Sequence, residues 1–231
     1  MSNAAAIEAL PPLHVVFGEE ATQDQCKGMA QQVLEEALSK RAGIAFDCEA
    51  MPWERAQLMV KGGERDAFVT TKTAERASYT VAGNEPVLTY RMVMFTSATH
   101  PKLAALREIK TLADVLPYQV LTYRGDGWAK NNLLPAGIKV ELSEGPSAVL
   151  KKIAAGRGDL FFQTDWDTRQ QIKRMNLDKL VIELPQEFGT AYFYLMIGKN
   201  SPYVKMLAKI DAQILAMKKD GSWERIYQQA R

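Results

Sequence analysis

Two histidines and two cysteines are all that 231 residues contain. His14 and His100 stand far apart, and Cys26 and Cys48 make no Cys-x-x-Cys or mixed Cys/His spacing. A zinc centre needs such ligands in a cluster, so no metal and no cofactor are expected. An excess of charge is also missing. The 29 basic and 27 acidic residues leave a net charge of +2, which excludes nucleic acid or an anionic membrane as the main partner. No apolar run approaches the roughly 20 residues of a membrane-spanning helix. The first six residues, Met1-Ser2-Asn3-Ala4-Ala5-Ala6, lack the basic-then-apolar pattern of a signal peptide. They read as a remnant ahead of a mature chain whose signal peptide has been removed.

What is present suits a globular protein. The sequence is 47% hydrophobic and 24% charged, enough for a packed core under a solvated surface. Its length fits one large domain or two lobes of about 100 residues each.

The pattern of elements points to an α/β fold. Residues 13–17 (Leu-His-Val-Val-Phe) predict a strand, with His14 a sheet residue. A helix follows over 27–41, with Ala30, Val33, Leu34, Ala37 and Leu38 at helical spacing and Gly43 to stop it. Residues 44–48 predict a second strand. Pro52 opens a helix with Trp53, Ala56, Met59 and Val60 on one face. A third strand comes next, and this βαβαβ order implies a parallel sheet with right-handed crossovers. Gly83-Asn84-Glu85-Pro86 interrupts the pattern before a strand over 90–96. From Leu112 the same order of elements begins again. Strands are predicted at 118–123, 138–142 and 159–163, helices at 128–134, 146–155 and 164–175. Residues 180–184 predict a short strand, 185–189 a break, and 190–197 a long apolar strand. Ser201-Pro202 then starts a helix that buries Tyr203, Leu207, Ile210, Ile214 and Met217. Trp223, Ile226 and Tyr227 belong to a last short helix.

One stretch organises the chain: Asp66-Ala67-Phe68-Val69-Thr70-Thr71-Lys72-Thr73-Ala74-Glu75-Arg76. A buried strand runs into a threonine-rich turn and a lone arginine. In an open α/β sheet ligands sit beyond the carboxyl ends of the strands, which places Thr71, Thr73 and Arg76 at such a site. A guanidinium fits a carboxylate with two parallel hydrogen bonds. The residues allow a second reading, in which the threonines cap a helix and Arg76 makes a surface ion pair.

Six motifs occur in order: Pro52-Trp53-Glu54-Arg55-Ala56, Gly63-Glu64-Arg65-Asp66, Thr71-Lys72-Thr73-Ala74-Glu75-Arg76, Tyr123-Arg124-Gly125-Asp126-Gly127, Gly156-Arg157-Gly158-Asp159 and Asp220-Gly221-Ser222-Trp223. Together they resemble a family 3 extracytoplasmic solute-binding protein, the type that serves polar amino-acid ABC importers. The resemblance implies a two-lobed periplasmic binding protein of type II architecture with two hinge crossings. Lobe 1 would be discontinuous, residues 13–87 plus 190–231, and lobe 2 inserted, residues 91–184. It implies a periplasmic monomer that closes around a small carboxylate-bearing solute and delivers it to an ABC permease in the membrane. It assigns the carboxylate to Arg76 with Thr71 beside it, an aromatic wall to Trp53, and an acid after the first strand to Glu19. In lobe 2 it assigns the glycine turn Arg124, Gly125 and Gly127, with Tyr123 before it. The family's ammonium-binding acid falls on Thr164, with Asp165 one residue on; this chain departs from the pattern there.

An enzyme on the same fold, similar to cyclohexadienyl dehydratases, is the competing class, and a ligand-sensing module a third. An enzyme needs a positioned acid or base. Glu19, Asp165 and Tyr123 are the candidates, so binding without catalysis is expected. Cys26, before the first helix, and Cys48, late in the second strand, stand where two parallel-sheet elements converge. The pair is either bridged or two free thiols.

Overall fold

The computed structural model describes residues 10–18 and 28–229, so Glu19 and Cys26 lie outside the described residues. In chain order the strands are β1 (Leu13–Gly18), β2 (Phe46–Met51), β3 (Ala67–Thr70), β4 (Thr80–Ala82), β5 (Leu88–Ser97), β6 (Val120–Tyr123), β7 (Val140–Ser143), β8 (Leu160–Thr164) and β9 (Val181–Gly198). The helices are α1 (Met29–Leu34), α2 (Trp53–Gly62), α3 (Ala74–Tyr79), α4 (Leu103–Leu106), α5 (Gly127–Asn132), α6 (Pro146–Ala154), α7 (Asp165–Arg174), α8 (Leu207–Asp220) and α9 (Ser222–Gln229). α1 does not stay α-helical to its end. Over Glu35–Ala42 it widens into π-type turns before Gly43, at φ 65°, closes it.

The strands form one hydrogen-bonded path, β2-β1-β3-β9-β5-β8-β6-β7, with β4 also on β9. Its two ends repeat one design. β1 pairs parallel with β2 and β3, and β6 pairs parallel with β7 and β8. These are the two βαβαβ units read from the sequence. Between them β5 and β9 cross from one lobe to the other, paired antiparallel with each other.

Each lobe buries both faces of its sheet. Along β1, β3 and β9 alternate residues serve opposite cores. Val15, Ala67, Leu195 and Ile197 join Val33, Leu34 and Leu38 of the first helix and Ile210, Ile214 and Met217 of α8. Val16, Phe68 and Met196 meet Ala56 and Val60 of α2. In the other lobe Met92, Met94, Val120 and Phe162 face one way, and Val93, Phe95, Leu121 and Phe161 the other. A side chain fully buried in this way contributes about 1.5–3 kcal/mol, and a one-residue slip would invert the pattern. Among the described residues no helix is long and apolar enough to cross a membrane.

Two expectations need correction. The second strand is β2, Phe46–Met51, not 44–48. Its register is set by pairing with β1, Leu13 opposite Phe46 through Gly18 opposite Met51, not by the apolar start at Ile44. The break expected at 185–189 is not a break, because β9 runs unbroken through it. Its register against β5 shifts twice, between the pairs Phe95–Glu183 and Val93–Glu187 and between Val93–Glu187 and Arg91–Thr190. Pro185 lies in the first shift and Gly189, at φ 95°, in the second. Both are bulges, where a strand tolerates a residue without an N–H or one with positive φ. Cys48, in β2, is disulfide-bonded.

Candidate functional site

A cavity of about 560 Å³ lies between the lobes. Lobe 1 lines it with Phe17, Met29, Trp53, Thr71 and Arg76, lobe 2 with Tyr123, Gly125, Gly127, Trp166 and Asp167, and the crossing strands with Tyr90 and Phe193. Its volume and aromatic walls suit a small organic ligand.

Arg76 is placed by the local chain. β3 ends at Thr70, and the Oγ1 of Thr73 accepts from the backbone N–H of Arg76 at 3.1 Å, capping α3. The Arg76 side chain is 3% exposed. Its Nη1 donates to the carbonyl and hydroxyl of Thr71 at 2.8 and 3.0 Å, its Nε to Gln57 Oε1 at 3.1 Å, and its Nη2 to the Gly125 carbonyl at 2.9 Å. Every one of these acceptors is neutral. Among the described residues no carboxylate stands within 4 Å as an ion-pair partner for this guanidinium, and burial lowers its pKa. Of the second reading one half holds: Thr73 caps a helix, while Arg76 is buried at the cavity and, among the described residues, makes no ion pair.

The glycine turn of lobe 2 closes onto this corner. The Gly125 carbonyl also accepts from Trp53 Nε1 at 3.0 Å. Trp53 is held edge-on against Phe68 and lies 5.3 Å from the Arg76 guanidinium. Only glycine fits in the turn. A Cβ on Gly125, at φ 82°, would come 2.4 Å from Gln57 Nε2, and one on Gly127 2.6 Å from Arg76 Nη1. Asp126 works within the turn. Its Oδ1 accepts from the N–H groups of Trp128 and Ala129, which caps α5, and its Oδ2 accepts from the Thr122 hydroxyl. Tyr123 lines the cavity, its Oη accepting from Gln163 Nε2 at 3.1 Å.

Three expected residues stand elsewhere. Arg124 is exposed and reaches toward Glu144 at 3.7 Å. Thr164 is buried off the cavity. Asp165 is 5% exposed and is taken by the crossing strand: it accepts from Arg91 N and Nε at 3.3 and 3.0 Å, with Nη2 at 2.9 Å. Glu19 lies outside the described residues.

The sequence reading missed Asp167. Two residues along a helix turn the side chain by about 200°, so with Asp165 facing Arg91, Asp167 faces the cavity instead. Asp165-Trp166-Asp167 at a helix start was the available signal. Asp167 accepts from Tyr90 Oη at 3.3 Å. Burial pushes its pKa up to about 6, opposed by the Tyr90 hydrogen bond and the charge of Arg174. Burial likewise holds the Tyr90 phenol well above its ordinary value. Trp166 stacks on Tyr90, centroids 6.4 Å apart and planes 3° from parallel. Its buried Nε1 has no hydrogen-bond partner among the described residues.

The profile of the bacterial extracellular solute-binding proteins, family 3, matches residues 5–230. No curated protein matches the chain. Among solved structures, a histidine kinase sensor domain with similarity to periplasmic binding proteins superposes with a TM-score of 0.79 at 16% identity, covering 96% of each chain. An ancestral arginine-binding protein bound to arginine gives 0.74 at 20% identity, over 96% of this chain and 99% of that one. The arginine-, lysine-, histidine-binding protein ArtJ from Geobacillus stearothermophilus gives 0.75 at 17% identity, over 95% and 94%.

Proposed function

The chain belongs to the bacterial extracellular solute-binding proteins, family 3, and from that membership we propose that it captures a small carboxylate-bearing, amino-acid-like solute between its lobes. Residues 13–87 plus 190–231 form one lobe and 91–184 the other. Hinge closure over the ligand presents the closed form to an ABC permease in the membrane, from the periplasm. One observation carries the carboxylate: Arg76 is a buried cation at the cavity whose partners among the described residues are all neutral. A buried charge is costly until it is paired, and a ligand carboxylate supplies the missing anion by taking the place of the Gly125 carbonyl. Thr71, Trp53, Tyr123, Gly125 and Gly127 complete that corner. The disulfide of Cys48 suits an oxidising compartment.

The experiment is mass spectrometry of the small molecules released when purified protein is denatured, followed by calorimetric titration of the recovered compound. A compound with a carboxylate, rebinding at one site per chain, is expected. A tight ligand without any anionic group would sink the reading. Catalysis has one observation in its favour, the carboxyl of Asp167 at the cavity, whose pKa burial pushes up to about 6. Turnover of added prephenate or arogenate would establish it, and recovery of both unchanged supports capture alone.

A further inference from the structure

The first crossing between the lobes is fastened to one of them. Side chains of α8 and α9 hold the approach to β5 step by step. The Asp211 carboxylate accepts from the backbone N–H groups of Asn84 and Glu85 at 2.9 and 3.1 Å. Lys218 Nζ donates to the Glu85 carboxylate at 2.9 Å. Trp223 Nε1 donates to the Val87 carbonyl at 2.8 Å, and Tyr227 Oη donates to the Thr89 carbonyl. The Trp223 and Tyr227 rings stack with centroids 4.5 Å apart, and Tyr227 leans on Tyr90 at 6.1 Å. The hold changes hands around Tyr90. Thr89 is bonded from α9, whereas Arg91 is bonded from lobe 2: its N–H and Nε donate to Asp165 of α7 at 3.3 and 3.0 Å. From Leu88 to Arg91 the crossing pairs in unbroken register with Phe193 to Thr190, and beyond Arg91 the register shifts. Gly189, at φ 95°, lies in that shift on β9. A hinge is a few residues that absorb a change in φ and ψ, and a bulge with a glycine is suited to it. Leu88 and Tyr90 line the cavity, while Trp223 and Tyr227 stand outside it.

We propose that Trp223 and Tyr227 are positioning residues that set the angle between the lobes. They fix the first crossing to lobe 1 as far as Thr89, and with it the cavity-lining Leu88 and Tyr90. The lobes then pivot beyond that point, at Tyr90 and Arg91 on one crossing and at Gly189 on the other. This pivot belongs to the hinge closure proposed above and rests on that reading. Both donors reach backbone carbonyls, so Trp223→Phe and Tyr227→Phe keep a ring in the stack and release the crossing.

Pulsed dipolar spectroscopy between paired spin labels tests this, on protein freed of copurified solute. One label sits at Leu58→Cys, exposed on α2 of lobe 1. Its partner at Leu134→Cys, exposed in lobe 2, reads the angle between the lobes. A partner at Tyr192→Cys, exposed and opposite Thr89, reads the crossing. A partner at Leu215→Cys, exposed on α8, reads lobe 1 alone. With Trp223 and Tyr227 intact, the pairs to Tyr192→Cys and Leu215→Cys should each give one narrow distance. Trp223→Phe and Tyr227→Phe should widen the distances to Tyr192→Cys and Leu134→Cys, most of all together. The distance to Leu215→Cys should stay as it was, whereas a fold that is merely looser would widen it too. Three results overturn the proposal. The first is a distance to Tyr192→Cys that is already broad before either substitution. The second is a double variant that leaves the distance to Tyr192→Cys or to Leu134→Cys unchanged; the single variants decide where the double does not fold. The third is a distance to Leu215→Cys that widens with the others. No solute enters the measurement, so its failure leaves capture standing, which the released compound decides.

Discussion

Arg76 and Asp167 are charges the fold buries without fully matching, and each predicts a measurable cost. For Arg76, truncation in the closed protein would leave a desolvated ligand carboxylate unpaired. Arg76→Ala should therefore lose roughly 2–5 kcal/mol of affinity for the copurifying solute, about 30-fold or more. Arg76→Lys should not rescue it, because a point charge cannot reproduce the fork that holds Thr71 and Gln57 while offering the remaining N–H groups to a carboxylate. Arg55 is exposed on α2 and does not line the cavity, so Arg55→Ala should bind nearly normally; calorimetry on all three variants decides. For Asp167 the cost appears in the empty protein. Its pKa rises on folding from 3.8 to about 6. The folded state thus holds a proton that the unfolded state has released between those values, and stability falls as pH rises through that window. Asp167→Asn has no such carboxyl to ionise. Ligand-free Asp167→Asn should melt higher than the wild type at pH 8, with the gap closing toward pH 4. A gap that is constant with pH would mean that Asp167 ionises as freely folded as unfolded.

Among the elements, those with a clear period or a clear stop were legible in the chain. Leu13–Gly18, Ala67–Thr70 and α8 follow from short-range pattern, and Ser201 caps the start of the last helical run as its spacing implied. β9 was not legible. Proline and glycine ordinarily end a strand, and only the register of a distant partner, β5, shows that here they sit in bulges. The same limit applied to the site. The Thr-x-Thr-x-x-Arg turn is local and could be read. That Asp165 is occupied by Arg91, 74 residues away, and so leaves the cavity to Asp167, depends on a long-range contact that no spacing reveals. The π-type widening after α1 is a feature of the structure for which the sequence offers no physical account. β2 carries its own test. Cys48 is disulfide-bonded, so thiol titration of the unfolded, unreduced protein should find no reactive thiol, and two after reduction. Two thiols before reduction would mean the bond is absent.

Across the whole molecule the lobes meet through contacts that do not involve a ligand. Gly125 is bonded from lobe 1 by both Arg76 and Trp53, and Lys130 of α5 pairs with Glu75 of α3 at 2.5 Å. The Lys130–Glu75 pair is exposed and contributes little, whereas the close approach of the glycine turn depends on shape. Gly127→Ala puts a methyl group 2.6 Å from Arg76 Nη1 at a helix position where alanine's backbone is unstrained. The substitution should prop the lobes apart and weaken ligand binding, since closure must then overcome the clash. Solution scattering reads it: the wild type should contract on adding the copurifying solute, and Gly127→Ala should start larger and contract less. Identical profiles for the two proteins, with and without solute, would show that the turn does not govern the spacing of the lobes.

The chain crosses between lobes twice, so β1 and the closing helices α8 and α9 belong to one body. Leu13 and Val15 share a core with Met217 and Tyr227. A fluorophore beside β1 and another behind α9 therefore sit on one body and would not report the proposed closure. Nor would a surface linkage at either place, which holds that body alone. A reporter pair needs one dye on the far body. Leu134 and Leu142, about half exposed at 50% and 53%, are sites where Leu134→Cys or Leu142→Cys could carry it, with energy transfer to a dye beside β1 reporting the proposed closure if it occurs.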